Sequence, residues 1–272
     1  MISRNREGSE RAPEARTPSL DRVRTGVQGL DEMLGGGFLP QSCNLVEGAP
    51  GTGKSTLGLQ FIHNGAVLYG EPGIFLTFEQ FPQAFYRDAL SMGWDLEALE
   101  QRGMARVMMT SPEVALADLQ AVGGQVAALV QEMDARRIVV DSVSRLQALA
   151  EDRHHLRSLE YCFINALKRE ELTSILTSEG PSVLGSGDRA VDDLAFVVDS
   201  YLMLRYVEID SAVRRAVTVL KMRGSEHAKD IRQYELTAQG VVIRSRFEGR
   251  EGILSGTARR MADSFDRAFL GR

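Results

Sequence analysis

Short apolar runs separated by longer amphipathic stretches make up most of the chain. The run from about Ser42 to Glu47, G-I-F-L-T-F from Gly73, R-V-M-M-T from Arg106, R-R-I-V-V-D ending in Asp141 and L-T-S-I-L-T-S from Leu172 are short and built around apolar residues. That pattern predicts strands, those at Ser42, Gly73 and Leu172 buried. Between them, apolar residues recur at three-and-four spacing and predict helices. One runs from Lys54 to about Tyr69, with Leu57, Phe61, Ala66 and Leu68 among its apolar positions; one is opened by Pro82 and ends near Met92; another starts at G-W-D-L. Leu116, Leu119, Val122, Val126, Leu129 and Val130 predict one long helix over Val114 to Arg136, carried through Gly123-Gly124. Leu156, Leu159, Phe163 and Leu167 mark another from about His154 to Arg169, and a short helix around Leu30 to Leu34 precedes the Gly35-Gly36-Gly37 turn. Strands alternating with helices imply crossover units and a parallel sheet.

After Gly180 the texture changes. G-S-G-D-R reads as a polar loop and Leu194 to Glu208 as a strand, while V-T-V-L-K-M-R-G, R-Q-Y-E-L-T and G-V-V-I-R read as antiparallel strands extending one side of the sheet. Leu254, Met261, Phe265 and Phe269 predict a C-terminal helix over Glu251 to Phe269. The expected fold is α/β: a mainly parallel central sheet flanked by helices, with antiparallel strands on one side and that C-terminal helix. Met1 to Arg16 has almost no large apolar side chains and reads as a disordered arm. The chain therefore divides into an arm (1–20), one domain (21–248) and a helical tail (249–272).

Composition changes this picture little. With 272 residues, 43% apolar and 25% charged, the chain is ordinary for a globular protein. Cys43 and Cys162, the only cysteines, lie in apolar-periodic stretches, which predicts two buried free thiols in a reducing, cytoplasmic setting. No apolar run is long enough to span a membrane, and the first residues lack a signal-like apolar core. A net charge of -5 argues against nucleic acid as partner.

The sharpest chemistry lies from Leu45 to Phe61. Gly48, Gly53, Lys54 and Ser55 fit G-x-x-x-x-G-K-[ST] between a predicted strand and a predicted helix. Such a turn offers backbone N–H groups to phosphate at a helix N-terminus, and glycines leave room for it. Gly48, Ala49, Pro50, Gly51, Thr52, Gly53, Lys54, Ser55 and Thr56 are thus expected to bind a nucleoside triphosphate. Lys54 would take the β and γ oxygens and the Ser55 hydroxyl Mg²⁺. Ligands of open parallel sheets sit at the C-terminal strand ends, which places Glu79 and Asp141 at the same edge.

Taken together, T-G-V-Q-G-L-D-E-M-L-G-G-G-F, G-A-P-G-T-G-K-S-T, F-L-T-F-E, G-W-D-L, I-V-V-D-S and L-K-M-R-G-S-E-H resemble the KaiC family of RecA-like P-loop ATPases. The resemblance spans about Thr25 to Arg259. L-R-Y-V-E-I, V-L-K-M-R-G-S-E-H-A-K and E-G-I-L-S-G look closest to the second, autophosphorylating domain of the family's clock members, which carry two such domains against one here. It implies an ATPase using ATP and Mg²⁺, with Glu79 as general base and Asp141 joining Ser55 at the metal. Gln80 stands where the family has a second glutamate. Lys221, Arg223 and His227 match a segment that reaches across a subunit boundary, the cations toward the neighbour's γ-phosphate and the histidine toward base or ribose. The resemblance therefore implies a homo-oligomer, a hexameric ring, with regulatory protein partners. On residue pattern alone, Glu79 also reads as a solvated strand-end acid, Asp141 as a turn cap, Lys221 and Arg223 as a solvated strand face, and His227 as a surface turn residue. Where clock members have a phosphate-accepting Ser-Thr pair, this chain has Ala195 and Phe196, which leaves Ser186 or Ser200 as acceptors. The alternatives to a signalling ATPase are an autokinase, a nucleotide-gated interaction module and a recombinase-like DNA-binding ATPase.

Overall fold

The computed structural model describes residues 21–121, 123–180, 194–247, 250–251 and 259–260. Its strands are β1 (Cys43–Gly48), β2 (Gly73–Thr77), β3 (Ala105–Met109), β4 (Arg137–Asp141), β5 (Thr173–Glu179), β6 (Ser200–Ile209), β7 (Ala212–Met222), β8 (Arg232–Thr237) and β9 (Gly240–Arg246). They form a nine-stranded sheet in the order β3-β2-β4-β5-β1-β6-β7-β8-β9. The first six in that order run parallel, and β7, β8 and β9 follow antiparallel. Asp141, at the end of β4, stands one strand from Thr77 and one from β5, so the order gathers all three strand ends beside β1.

Alternation along each strand divides the core into two layers. Phe75, Val139, Ile175, Val46 and Leu202 face one layer. It is covered by α1 (Leu30–Met33), α2 (Lys54–Asn64), α3 (Pro82–Ser91) and α4 (Leu96–Gln101). Ile74, Leu76, Ile138, Val140, Leu176 and Leu45 face the other, under α5 (Pro112–Gln120), α6 (Gln125–Met133) and α7 (Arg153–Arg169). Asp95 starts α4, its carboxylate accepting from Ala98 N at 2.9 Å, as expected of an N-cap aspartate.

Four expectations are corrected. The long helix over Val114 to Arg136 is two helices, because Gly123 takes a φ of +74° and a Cβ on Gly124 would lie 2.2 Å from Asp118 O. The Asp118 carboxylate then caps α6 through Gln125 N (2.5 Å) and Val126 N (2.7 Å). Among the described residues no single helix is long and apolar enough to cross a membrane; only α5 and α6 together approach that, bent by 71°. The second correction concerns the end of the helix expected from Lys54 to about Tyr69: α2 stops at Asn64 and passes into a π-helical turn over Gly65–Tyr69, where Leu68 is 58% exposed. Third, Leu194 and Ala195 do not extend β6: Leu194–Val197 is a helical turn, α8, and the strand starts at Ser200.

The fourth is Cys162, which is exposed because it sits one position off the buried stripe of α7 at Phe163, Ile164, Ala166 and Leu167. Cys43 is buried on β1, and that burial pushes its thiol up to about 11. A thiol reagent at pH 8 is therefore expected to label one cysteine per native chain and two after denaturation. Equal rates at both sites in the native protein would contradict the burial of Cys43.

The polar loop G-S-G-D-R and Ser186 lie outside the described residues, as does the arm. So does most of the expected C-terminal helix; the residues described there, Arg250–Glu251 and Arg259–Arg260, pair as antiparallel strands.

Candidate functional site

The glycine-rich turn leaves β1 at Gly48 and enters α2 at Lys54. Gly51 and Gly53 have φ of +78° and +93°, conformations that side chains resist. A Cβ on Gly53 would lie 2.6 Å from Leu236 Cδ2, and one on Gly51 2.8 Å from Tyr206 Oη. Thr52 Oγ1 closes the turn on Ala49 O at 2.7 Å, while Tyr234 Oη donates to Thr52 O at 2.6 Å. β6 and the antiparallel strands beyond it thus buttress the turn from the side, through Tyr206 on β6 and Tyr234 and Leu236 on β8. Arg215 completes that wall: its guanidinium carbon is 5.4 Å from the Tyr206 ring centroid and its Nη2 3.5 Å from Gly51 O, while its buried Nε has no partner among the described residues.

Lys54 Nζ donates to Gly48 O (2.8 Å) and Ala49 O (3.3 Å), carbonyls of the turn it belongs to. Burial pushes its ammonium below the ordinary lysine value, and Asp141, Glu179, Glu79 and Glu47 pull it back up. Four acids around one lysine make a cation-centred site at the strand ends. Ser55 Oγ donates to Asp141 Oδ2 at 2.7 Å, and Thr177 Oγ1 on β5 donates to Asp141 Oδ1. Hydroxyl and carboxylate oxygens are the donors Mg²⁺ prefers, so the Ser55–Asp141 pair fits that ion. Among the described residues no group of three or more His, Cys, Asp and Glu is placed to hold a metal.

Glu79 lies just beyond β2. Thr77 Oγ1 accepts from Glu79 N (3.3 Å) and Gln80 N (3.4 Å), and Phe78 N donates to Asp141 O at 3.0 Å. Glu79 Oε1 is 2.6 Å from Arg145 Nε. Arg145 belongs to the 3-10 segment Val143–Leu149 that follows Asp141 and Ser142. The P-loop, Ser55, Asp141 and Glu79 are therefore brought together as expected.

Lys221, Arg223 and His227 are not. Gly48 is paired with Leu204 and Leu204 with Val217, while Lys221 lies opposite Tyr201 at the other end of β6. From Val217 to Lys221 the strand runs about 13 Å away from the turn. There Lys221 Nζ donates to the carbonyls of Ala195 (2.7 Å), Phe196 (3.3 Å) and Val198 (2.7 Å), and Arg223 Nη2 to Phe196 O at 2.5 Å. The two cations share a face, as strand alternation predicts, and cap α8. His227 lies past β7, with its Nδ1 buried and unpartnered among the described residues. Ser200 is buried and donates to Asn44 Oδ1 at 2.6 Å, so it is not available as a phosphate acceptor. His63 is a packing residue, stacked on Trp94 with centroids 5.3 Å apart.

Sequence reading missed Thr177, Arg145, Tyr206, Arg215 and Tyr234. Thr177 was findable, since the ends of neighbouring parallel strands converge. Arg145 carries no periodic signal, and the other three depend on the register of the antiparallel strands.

A phosphate-cradling turn between a buried parallel strand and a helix, backed by a strand-end aspartate and an antiparallel extension beyond β1, defines a RecA-like P-loop nucleotide-binding protein. Within that class the chain belongs to the KaiC family of ATPases, since a family model described as "ATPase: KaiC" matches residues 23–248. It is 39% identical over 243 residues to the circadian clock oscillator protein KaiC of Acaryochloris marina, which covers 89% of this chain and 45% of that protein. The circadian clock protein KaiC3 of Synechocystis sp. is 34% identical over 246 residues, covering 89% of this chain and 47% of that one. The chain spans about half the length of these relatives. A KaiC-like protein of Pyrococcus horikoshii has a crystal structure similar to this one, with a TM-score of 0.73 at 30% identity, covering 83% of this chain and 100% of that one.

Proposed function

We propose that this chain is a Mg²⁺-dependent ATPase that works as a ring of like subunits, a hexamer, and uses its nucleotide state to regulate protein partners. The observation that carries the reading is the convergence of Lys54, the Ser55–Asp141 pair and Glu79 on one strand edge. Water attacks the γ-phosphorus in line; the bond from that phosphorus to the β–γ bridging oxygen breaks, and Glu79 takes the proton of the attacking water. Backbone N–H groups of the turn from Gly48 to Lys54, Pro50 excepted, hold phosphate, and the Lys54 ammonium takes charge on the β and γ oxygens. Ser55 and Asp141 would hold Mg²⁺, which supplies charge neutralisation on the phosphate oxygens.

Lys221 and Arg223 sit at the far end of β6 and do not reach their own P-loop, so in this reading they serve a neighbour's γ-phosphate, with His227 toward its base or ribose. The working unit is the domain 21–248, in the cytoplasm. An autokinase using the same site is disfavoured: Ala195 and Phe196 lack hydroxyls and Ser200 is buried.

The test follows γ-labelled ATP with purified protein and Mg²⁺. Free labelled phosphate is expected from the wild type, and Glu79→Gln is expected to lower its release about 10²–10⁴-fold, the range for a lost general base. Label transferred to protein would replace the ATPase reading with a kinase one. Label left on ATP would replace it with a nucleotide-gated binding module.

A further inference from the structure

The segment after Asp141 carries a cation that the phosphate cradle does not use. Val143 and Leu146 are buried and anchor it, and Arg145 N donates to Ser142 O at 3.1 Å. Ser142 Oγ accepts from Ser144 N at 3.2 Å; Ser144 Oγ lies 3.1 Å from Ser178 Oγ and accepts from Glu179 N at 2.8 Å. The backbone at Arg145 is thereby pinned to the ends of β4 and β5. Its side chain, half exposed, crosses to the end of β2 and places Nε 2.6 Å from Glu79 Oε1. The backbone of Glu79 is held as firmly, by Thr77 Oγ1 and by its neighbour Phe78 on Asp141 O. Two anchored backbones joined by one directional bond leave the Glu79 carboxylate little freedom of rotation.

Stability does not account for the bond. A half-exposed ion pair contributes little to folding, yet this one links the two turns that carry the site's acids. Among the described residues, Lys54 also acts on Glu79 and Glu179 on Arg145. Among the described residues only Oε1 of Glu79 takes a side-chain bond, which leaves Oε2 for water.

We propose that Arg145 is the positioning residue for Glu79, fixing Oε1 so that Oε2 meets the attacking water. This rests on the reading of Glu79 as general base. Arg145 acts through the carboxylate and touches no phosphate.

The test is steady-state phosphate release from Mg·ATP by the full chain as wild type, Arg145→Gln, Arg145→Lys, Glu79→Gln and the Glu79→Gln, Arg145→Gln double variant. Arg145→Gln is expected to lower kcat about 30-fold with KM within about twofold, as misplacement of a reacting group does. Arg145→Lys, which keeps the charge without the planar fork, is expected to fall between. The double variant is expected to be no slower than Glu79→Gln alone, the signature of residues acting as a unit. Multiplying losses, a KM rise at constant kcat, or unchanged kcat in Arg145→Gln would each overturn the proposal. A thermal midpoint within about 2 °C of wild type keeps a folding defect apart from a catalytic one. Absent hydrolysis by the wild type, or full turnover in Glu79→Gln, brings down the functional reading and the role of Arg145 with it. That pattern is distinct from an inactive Glu79→Gln beside an unaffected Arg145→Gln.

Discussion

Lys54→Ala is expected to lower ATP hydrolysis at least about 10³-fold and to abolish the rise in thermal midpoint that ATP gives the wild type. A cation about 4 Å from a phosphate charge in a partly buried site interacts by ~4 kcal/mol at an effective dielectric of 20, and ~1.4 kcal/mol is a tenfold change. The surroundings enlarge the effect. Asp141, Glu179, Glu79 and Glu47 all act on Lys54, so its removal leaves an incoming polyanion facing four acids. The folded chain itself should lose little. Burial lowers the Lys54 pKa, and a lysine whose folded-state pKa lies below its unfolded value costs stability at every pH below the folded value, a cost relieved only as pH rises through it. Alanine removes that cost together with the bonds to Gly48 O and Ala49 O. Scanning calorimetry with and without ATP, beside a turnover assay, separates the two effects. Wild-type turnover in Lys54→Ala would end the P-loop assignment.

Arg137→Ala is expected to cost about 3–5 kcal/mol of folding stability, the range for a broken buried ion pair. Arg137 opens β4 with its side chain fully buried. Its Nε donates to Glu71 Oε2 at 2.7 Å and its Nη1 to Phe61 O at 3.2 Å, with the guanidinium 4.5 Å from the Phe61 ring centroid and 5.3 Å from that of Tyr69. Alanine would take the cationic partner from the Glu71 carboxylate, remove the Arg137 bond to Phe61 O, which Gly65 N also reaches, and leave a void under the π-helical turn. Gly65 shows how closely that turn is fitted, since a Cβ there would lie 2.5 Å from Arg137 Cδ. For a domain of this size the loss corresponds to a fall in thermal midpoint of about 6–20 °C. A urea titration giving a loss below about 1 kcal/mol would show that the cluster relaxes around the gap.

The parallel half of the sheet was legible because its strands are short apolar-centred runs bounded by turn residues, and Ile138, Val139 and Val140 need no tertiary knowledge to be read as such. The glycine-rich turn, Asp141 and Glu79 were legible because parallel strands put their C-terminal ends together. What failed was local competition. Asp118 could close a cap across Gly123-Gly124, and that outweighed a helical apolar repeat. A one-position offset put Cys162 outside the buried stripe. Arg145 was hidden for a different reason: its partner is 66 residues away in sequence, in a segment with neither helical nor strand periodicity.

Lys221 and Arg223 already have work within their own chain, capping the carbonyls of α8. In a ring where they also answer a neighbour's phosphate, the same nitrogens face two claims. Thermodynamic linkage makes the competition symmetric: phosphate next door loosens α8, and anything that fastens α8 weakens the hold on that phosphate by the same factor. Each subunit would then report whether the adjoining site is charged with nucleotide, and a contact made at α8 would reach chemistry in the next subunit without touching its P-loop.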